Sequence, residues 1–207
     1  MNILSRMDCI GDASMDIMNK YRQLAQNALS ERRFRHTLGV AAAAEKLAAH
    51  YGLDVNKAVV AAFLHDITKE ETFERQLQYC AEFGILLSDF EKNSPKLLHA
   101  LTAAGYAKHR LHVSDEEILD AVRYHTTGRR YMSGLEKVVY LADFIEENRN
   151  FPGVDEVRAI AYQGLNGAMT AALANTICEV VNKPSLLHWD TVECYNQLMM
   201  DRKGESQ

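Results

Sequence analysis

Apolar positions recur along this chain at helical spacing, and the alternation expected of strands is scarce. Residues 16–29 place Ile17, Tyr21, Leu24, Ala25 and Ala28 on one face, which predicts a first helix. Ser30 stands where it can cap a second, running to about Tyr51 with the stripe Phe34, Leu38, Ala41, Ala44 and Ala48. Gly52 ends it. Asp54 caps a third that reaches about Thr68, so rich in alanine that it should pack closely and deeply. A fourth helix is expected over about residues 72–83 and a fifth over about 96–109.

Two Ser-x-x-Glu boxes mark further starts. Ser114 to Glu117 opens a helix to about Thr126, and Ser133 to Glu136 opens another to about Glu147. Residues 155–182 read as helical with an interruption near Gly164 or Gly167, and Asp190 caps a last amphipathic helix. Pro95, Pro152 and Pro184 each read as a boundary between helices. With no internal repeat and no low-complexity linker, the pattern predicts one all-α helical bundle over residues 16–200. Residues 1–15 form a leader, expected to be disordered, and residues 201–207 a polar tail.

Composition narrows the function classes. At 207 residues and 47% hydrophobic, the chain can bury a full core without disulfide staples. A net charge of −5 argues against general affinity for nucleic acid. Cys9, Cys80, Cys178 and Cys194 show no C-x-x-C spacing, which disfavours a zinc finger or a thioredoxin-type site. The first residues lack a basic segment ahead of an apolar run, and no uncharged apolar run reaches the roughly 18 residues a membrane span needs. The expected location is the cytoplasm, with no membrane partner.

Eight histidines carry the chemistry. His65 and Asp66 end an apolar stretch, where a buried carboxylate is costly unless something positive offsets it. The bland alternative is that Asp66 starts a turn and His65 is simply hydrogen-bonded. Asp143 lies mid-helix among apolar side chains, while Glu136, Lys137 and Glu147 already supply polar positions. His36, His99 and His125 complete an ordered set spread over five predicted helices. Imidazole and carboxylate ligands without thiolate suit iron, manganese or another divalent ion, and the set suffices for two metals flanking a phosphate. Arg33 lies three residues before His36, and Lys69 four after His65, which on helices puts a cation beside a ligand twice. His50, His109, His112 and His188 have adequate structural explanations. Arg129 and Arg130, after His125, either clamp substrate or sit in an exposed loop.

The ordered H…HD…H…H…D series resembles the HD-domain superfamily of metal-dependent phosphohydrolases. The local strings Arg33-Phe34-Arg35-His36-Thr37, Leu64-His65-Asp66-Ile67-Thr68-Lys69, Arg123 to Arg129, Leu141 to Glu146 and Arg149 to Val154 resemble the YqeK family, the symmetrical bis(5′-nucleosyl)-tetraphosphatases. The resemblance spans roughly residues 18–200. It implies an all-helical, iron-binding enzyme that splits diadenosine tetraphosphate into two ADP. It implies His36, His65, Asp66 and Asp143 as core metal ligands, with His99 and His125 holding a second metal or facing the substrate phosphates. Arg33, Lys69 and Arg149 then contact phosphate, and Thr126 joins His36, His99, His125 and Asp143 in facing the substrate. Asp66 and Lys69 are the expected catalytic pair, Asp66 orienting the attacking water.

Two other readings stand beside this one. One is an HD-type (deoxy)nucleotide 5′-phosphatase using the same metal chemistry. The other is a non-catalytic nucleotide sensor, against which the full ligand set argues. A homodimer is the default expectation for a soluble protein that assembles.

Overall fold

Capping side chains start the early helices. In the computed structural model, which describes residues 17–204, helix α1 covers residues 17–28. Ser30 accepts the backbone N–H of Arg33 and opens α2, Glu31–His50. Asp54 does the same for Lys57 at α3, Val55–Leu64, and Thr72 for Arg75 at α4, Phe73–Glu82. A single turn closed by a Ser88–Glu91 capping box forms α5, Asp89–Lys92, which the periodicity does not predict. A 3-10 turn, Pro95–Leu97, leads into α6, Leu98–His109. Helices α7, Glu116–Arg123, α8, Gly134–Ile145, and α9, Val154–Ile160, follow. The last two are α10, Leu165–Val181, and α11, Trp189–Gly204. No strand occurs among the described residues, so the all-α class holds.

Several boundaries depart from the sequence expectation. α3 stops at Leu64, not near Thr68, and tight turns follow: the N–H of Lys69 reaches the Asp66 carbonyl at 2.8 Å. α7 stops at Arg123, not Thr126, and its exit turns on Gly128, whose φ of 65° a side chain would strain. Asp115 rather than Ser114 caps α7, accepting the Glu117 N–H at 3.0 Å. The Ser133–Glu136 box forms as expected, and α8 ends at Ile145. Residues 155–182 split into α9 and α10 across residues 161–164. Asp190 lies inside α11, where its N–H is accepted by His188 Nδ1 at 3.1 Å. α11 continues to Gly204, so residues 201–204 are helical. The leader, residues 1–15, lies outside the described residues.

α3 is the hub. Ala58 through Leu64 are all buried, as a helix apolar on every side requires. It packs against α2, α6, α7 and α8. Ala41, Ala44 and Ala48 on α2, with Ala58, Ala61 and Ala62 on α3, are buried and let these helices approach closely. The C-terminal end of α3 therefore emerges among its neighbours, and that is where His65 and Asp66 lie. Among the described residues no helix is long and apolar enough to cross a membrane.

Candidate metal centre and active site

Three histidines share one local device. Nδ1 of His65 meets the Ala62 carbonyl at 2.6 Å, that of His99 the Lys96 carbonyl at 2.8 Å, and that of His125 the Val122 carbonyl at 2.7 Å. In each case the acceptor lies three residues earlier. A carbonyl accepts only, so each Nδ1 carries the proton, and in the neutral ring Nε2 presents a lone pair. His36 reaches the same state through a distant partner, Nδ1 donating to Glu146 Oε1 at 3.0 Å.

These four Nε2 atoms converge on two carboxylates. Asp66 lies 3.4 Å from His65 Nε2, 3.3 Å from His99 Nε2 and 3.8 Å from both His36 and His125 Nε2. Asp143 lies 3.1 Å from His36 Nε2. His99 and His125 bring their Nε2 atoms within 3.1 Å of one another, and Nε2 of His36 and of His65 are buried without a hydrogen-bond partner. The Nε2 lone pairs of His36 and His65, buried and without donors, are what a cation would satisfy. Two donor groups fit one, His36–His65–Asp143 and His65–Asp66–His125, each with ligand atoms within 4.8 Å of one another. His99 falls outside both groups while touching Asp66 and His125.

The bland reading of the pair at 65–66 also describes the backbone correctly. Asp66 does sit in a turn and His65 is hydrogen-bonded, but only through Nδ1. The Lys69 expectation needs correction: with α3 ended at Leu64, no helical i,i+4 face joins His65 and Lys69. Its ammonium arrives by the turn instead, 3.9 Å from Asp66 Oδ1 and 3.0–3.2 Å from both ring nitrogens of His99. Arg33 Nη1 reaches Asp66 Oδ2 at 2.9 Å. Arg149 pairs with Asp143 through Nη2 and donates from Nε to the Asp143 carbonyl at 2.9 Å.

Electrostatics follow from this packing. Burial alone would raise the Asp66 carboxyl, but His65, His125 and His99 hold it well below the usual carboxylate range. Burial also opposes ionisation of Asp143, and the adjacent His36 and Arg149 overcome it. Burial and then Lys69 push His99 well down, and burial lowers His125. Burial pushes His36 down, yet Asp143 and Glu146 outweigh it and leave its pKa raised. Burial lowers the Lys69 ammonium.

A cavity of about 290 Å³ opens on the cluster, lined by His125, Thr126, Asp143 and Arg149 and walled by Phe144, Phe151, Tyr140, Thr176 and Glu179. Thr126 Oγ1 is buried there without a partner. Glu146 is absent from the sequence-derived set although it is buried and fixes His36. Its partner is 110 residues away, so no local signal marks it. Asn148 holds its other oxygen through N at 2.7 Å and Nδ2 at 2.9 Å. Glu136, named above as a polar position and capping-box residue, is buried and bonded to Arg129 and Ser133. Arg129 is thereby committed to Glu136 and Asp120, and Arg130 donates to Gln197 at 3.0 Å. Neither arginine lines the cavity.

A helical fold that gathers histidines and aspartates in this way defines a class. Residues 33–148 match the HD domain family, and every donor from His36 to Asp143 falls within that span. A symmetrical bis(5′-nucleosyl)-tetraphosphatase of Halalkalibacterium halodurans is 41% identical over 89% of this chain and 98% of that protein. The protein of the same description from Bacillus subtilis is 42% identical over 88% and 98%, and that of Staphylococcus aureus 35% identical over 86% and 93%. The chain belongs to the HD-domain family and, within it, to the symmetrical bis(5′-nucleosyl)-tetraphosphatases. A crystal structure from Clostridium acetobutylicum, described as a predicted HD superfamily hydrolase involved in NAD metabolism, superposes with a TM-score of 0.85. It is 39% identical and covers 88% of this chain and 97% of its own.

Proposed function

We propose that this chain hydrolyses diadenosine tetraphosphate symmetrically into two ADP, using a divalent metal, most simply iron. The observation that carries the reading is the convergence of four Nδ1-anchored imidazoles and two carboxylates beneath a cavity edged by Arg149 and Thr126. His36, His65, Asp66 and Asp143 are the proposed ligands of one ion, with His99 and His125 facing a second ion or the phosphates. Manganese suits the same donors. A metal bound there supplies Lewis acidity toward a phosphoryl oxygen and toward water.

The chain's own groups do the rest. Arg33, Lys69 and Arg149 bring positive charge against the polyphosphate, arginine as a fork and lysine as a point charge. The Thr126 hydroxyl donates to a phosphate oxygen. Asp66 orients water for attack at one of the two inner phosphorus atoms. The new P–O bond forms as the central bridging oxygen leaves with the other half, and Lys69 holds the charge that develops. Phe144 and Phe151, their rings edge to face with centroids 5.0 Å apart, offer an apolar wall to a nucleoside.

Residues 16–200 form the catalytic unit in this reading, working in the cytoplasm as a homodimer and without nucleic acid or membrane. The test is product analysis on dinucleoside polyphosphates and mononucleotides, with the metal of the purified protein quantified. ADP as sole product from diadenosine tetraphosphate supports the reading. ATP plus AMP, or activity on monophosphates alone, rejects it.

A further inference from the structure

A substrate cut at its centre has two nucleosides, and the cavity over His125 and Asp143 is sized for one. A second concavity of about 380 Å³ lies beside it. It is formed by the turn of residues 93–97 and by residues 179–186 at the end of α10 and beyond, and Glu179 borders both spaces. We propose that this second groove is the binding site for the other nucleoside, so that the substrate straddles Glu179 with its central phosphates over the cluster.

Continuity with the cluster supports the assignment. His125 lines the first space, and its Nε2 meets His99 Nε2 at 3.1 Å. His99 in turn is hydrogen-bonded to the carbonyl of Lys96, which lines the second. The two spaces thus stand at opposite ends of one histidine pair. The groove's chemistry suits a nucleoside with phosphate attached. Pro95, Leu97, Pro184 and Leu186 give apolar faces for a base, and Leu186 is 53% exposed with nothing yet covering it. Lys96, exposed on the same wall, supplies positive charge for the anionic end. Lys183 is committed to Glu179 and so belongs to the partition rather than to the ligand.

The proposal rests on symmetrical cleavage of a dinucleoside substrate, and its test separates the two claims. Leu186→Asp and Lys96→Glu alter exposed side chains and leave the His99 hydrogen bond, made by a backbone carbonyl, in place. In the metal-loaded enzyme, KM for diadenosine tetraphosphate is expected to rise about tenfold, equivalent to about 1.4 kcal/mol. The inhibition constant of ADP, which carries one nucleoside with the two phosphates of the inner half, stays at the wild-type value. An unchanged KM for the dinucleotide, or an equal loss for both ligands, overturns the second site while leaving the activity intact. Failure of the wild-type enzyme to release ADP from the dinucleotide overturns both.

Discussion

Gly39 makes room for Glu146. A methyl group on Gly39 would collide with the Glu146 carboxylate, the side chain that fixes Nδ1 of His36. The smallest residue on α2 is thus coupled to a ligand orientation one helical turn away. Gly39→Ala is expected to weaken metal affinity about tenfold or more, as loss of such supporting contacts generally does. Glu146→Ala should do the same, and the double variant should lose no more than the worse single one. Metal titration of the four proteins measures this, and fully additive losses would show that the two residues act separately.

His65→Ala and Asp143→Ala should each abolish bound metal and turnover while leaving far-UV circular dichroism close to wild type. Each residue belongs to a donor group, and His65 belongs to both. Retention of metal at wild-type stoichiometry by either variant would remove that residue from the ligand set.

Lys69→Ala should raise KM and lower kcat without loss of metal, because its ammonium lies against His99 and Asp66 yet offers no lone pair while charged. Elemental analysis beside steady-state kinetics distinguishes this from a ligand role.

Arg129→Ala should destabilise the fold by about 2 kcal/mol, since Glu136 would be left buried without its cation. The figure is set below that of a fully buried pair because Arg129 is partly open to solvent. Urea unfolding reads the loss, and metal content should be unchanged. A raised KM with unaltered stability would return Arg129 to the role of substrate clamp.

Among Cys80, Cys178 and Cys194, only Cys178 should react with an alkylating reagent at pH 8. It is exposed, whereas Cys194 is buried and its thiol is pushed up to about 11. Mass spectrometry of the native and unfolded protein would show the difference.

Local chemistry made much of this fold legible. The starts of α2, α3, α4 and α8 follow from Ser30, Asp54, Thr72 and Ser133, whose caps act within three residues. The order His36, His65-Asp66, His99, His125 and Asp143 was legible as well, because an ordered series of rare residue types survives without knowing their geometry. The ends of α3 and α7 were not, since each helix ends at a turn held by the Nδ1 bond of His65 or His125, which no local pattern marks. Glu146 was hidden because its partner lies on another helix. The Arg129–Glu136 pair was hidden as well, because nothing in sequence reveals that these two side chains meet.

Arg158 adds a long-range constraint of the same kind. It donates from Nε to the Ile145 carbonyl and from Nη2 to the carbonyls of Glu146 and Arg149, at 2.6–2.9 Å. That satisfies the end of α8 and steadies the segment carrying both Glu146 and Arg149.

The three imidazoles anchored to carbonyls three residues earlier tie the donor atoms to the backbone rather than to one another. An ion gripped by His36, His65, Asp66 and Asp143 would clasp the end of α3 to α2 and α8. Affinity for the ion then becomes resistance to unfolding: chelation should lower the melting temperature by an amount that grows with the logarithm of the free-metal concentration removed. Catalytic loading and thermal endurance would be two readings of one equilibrium.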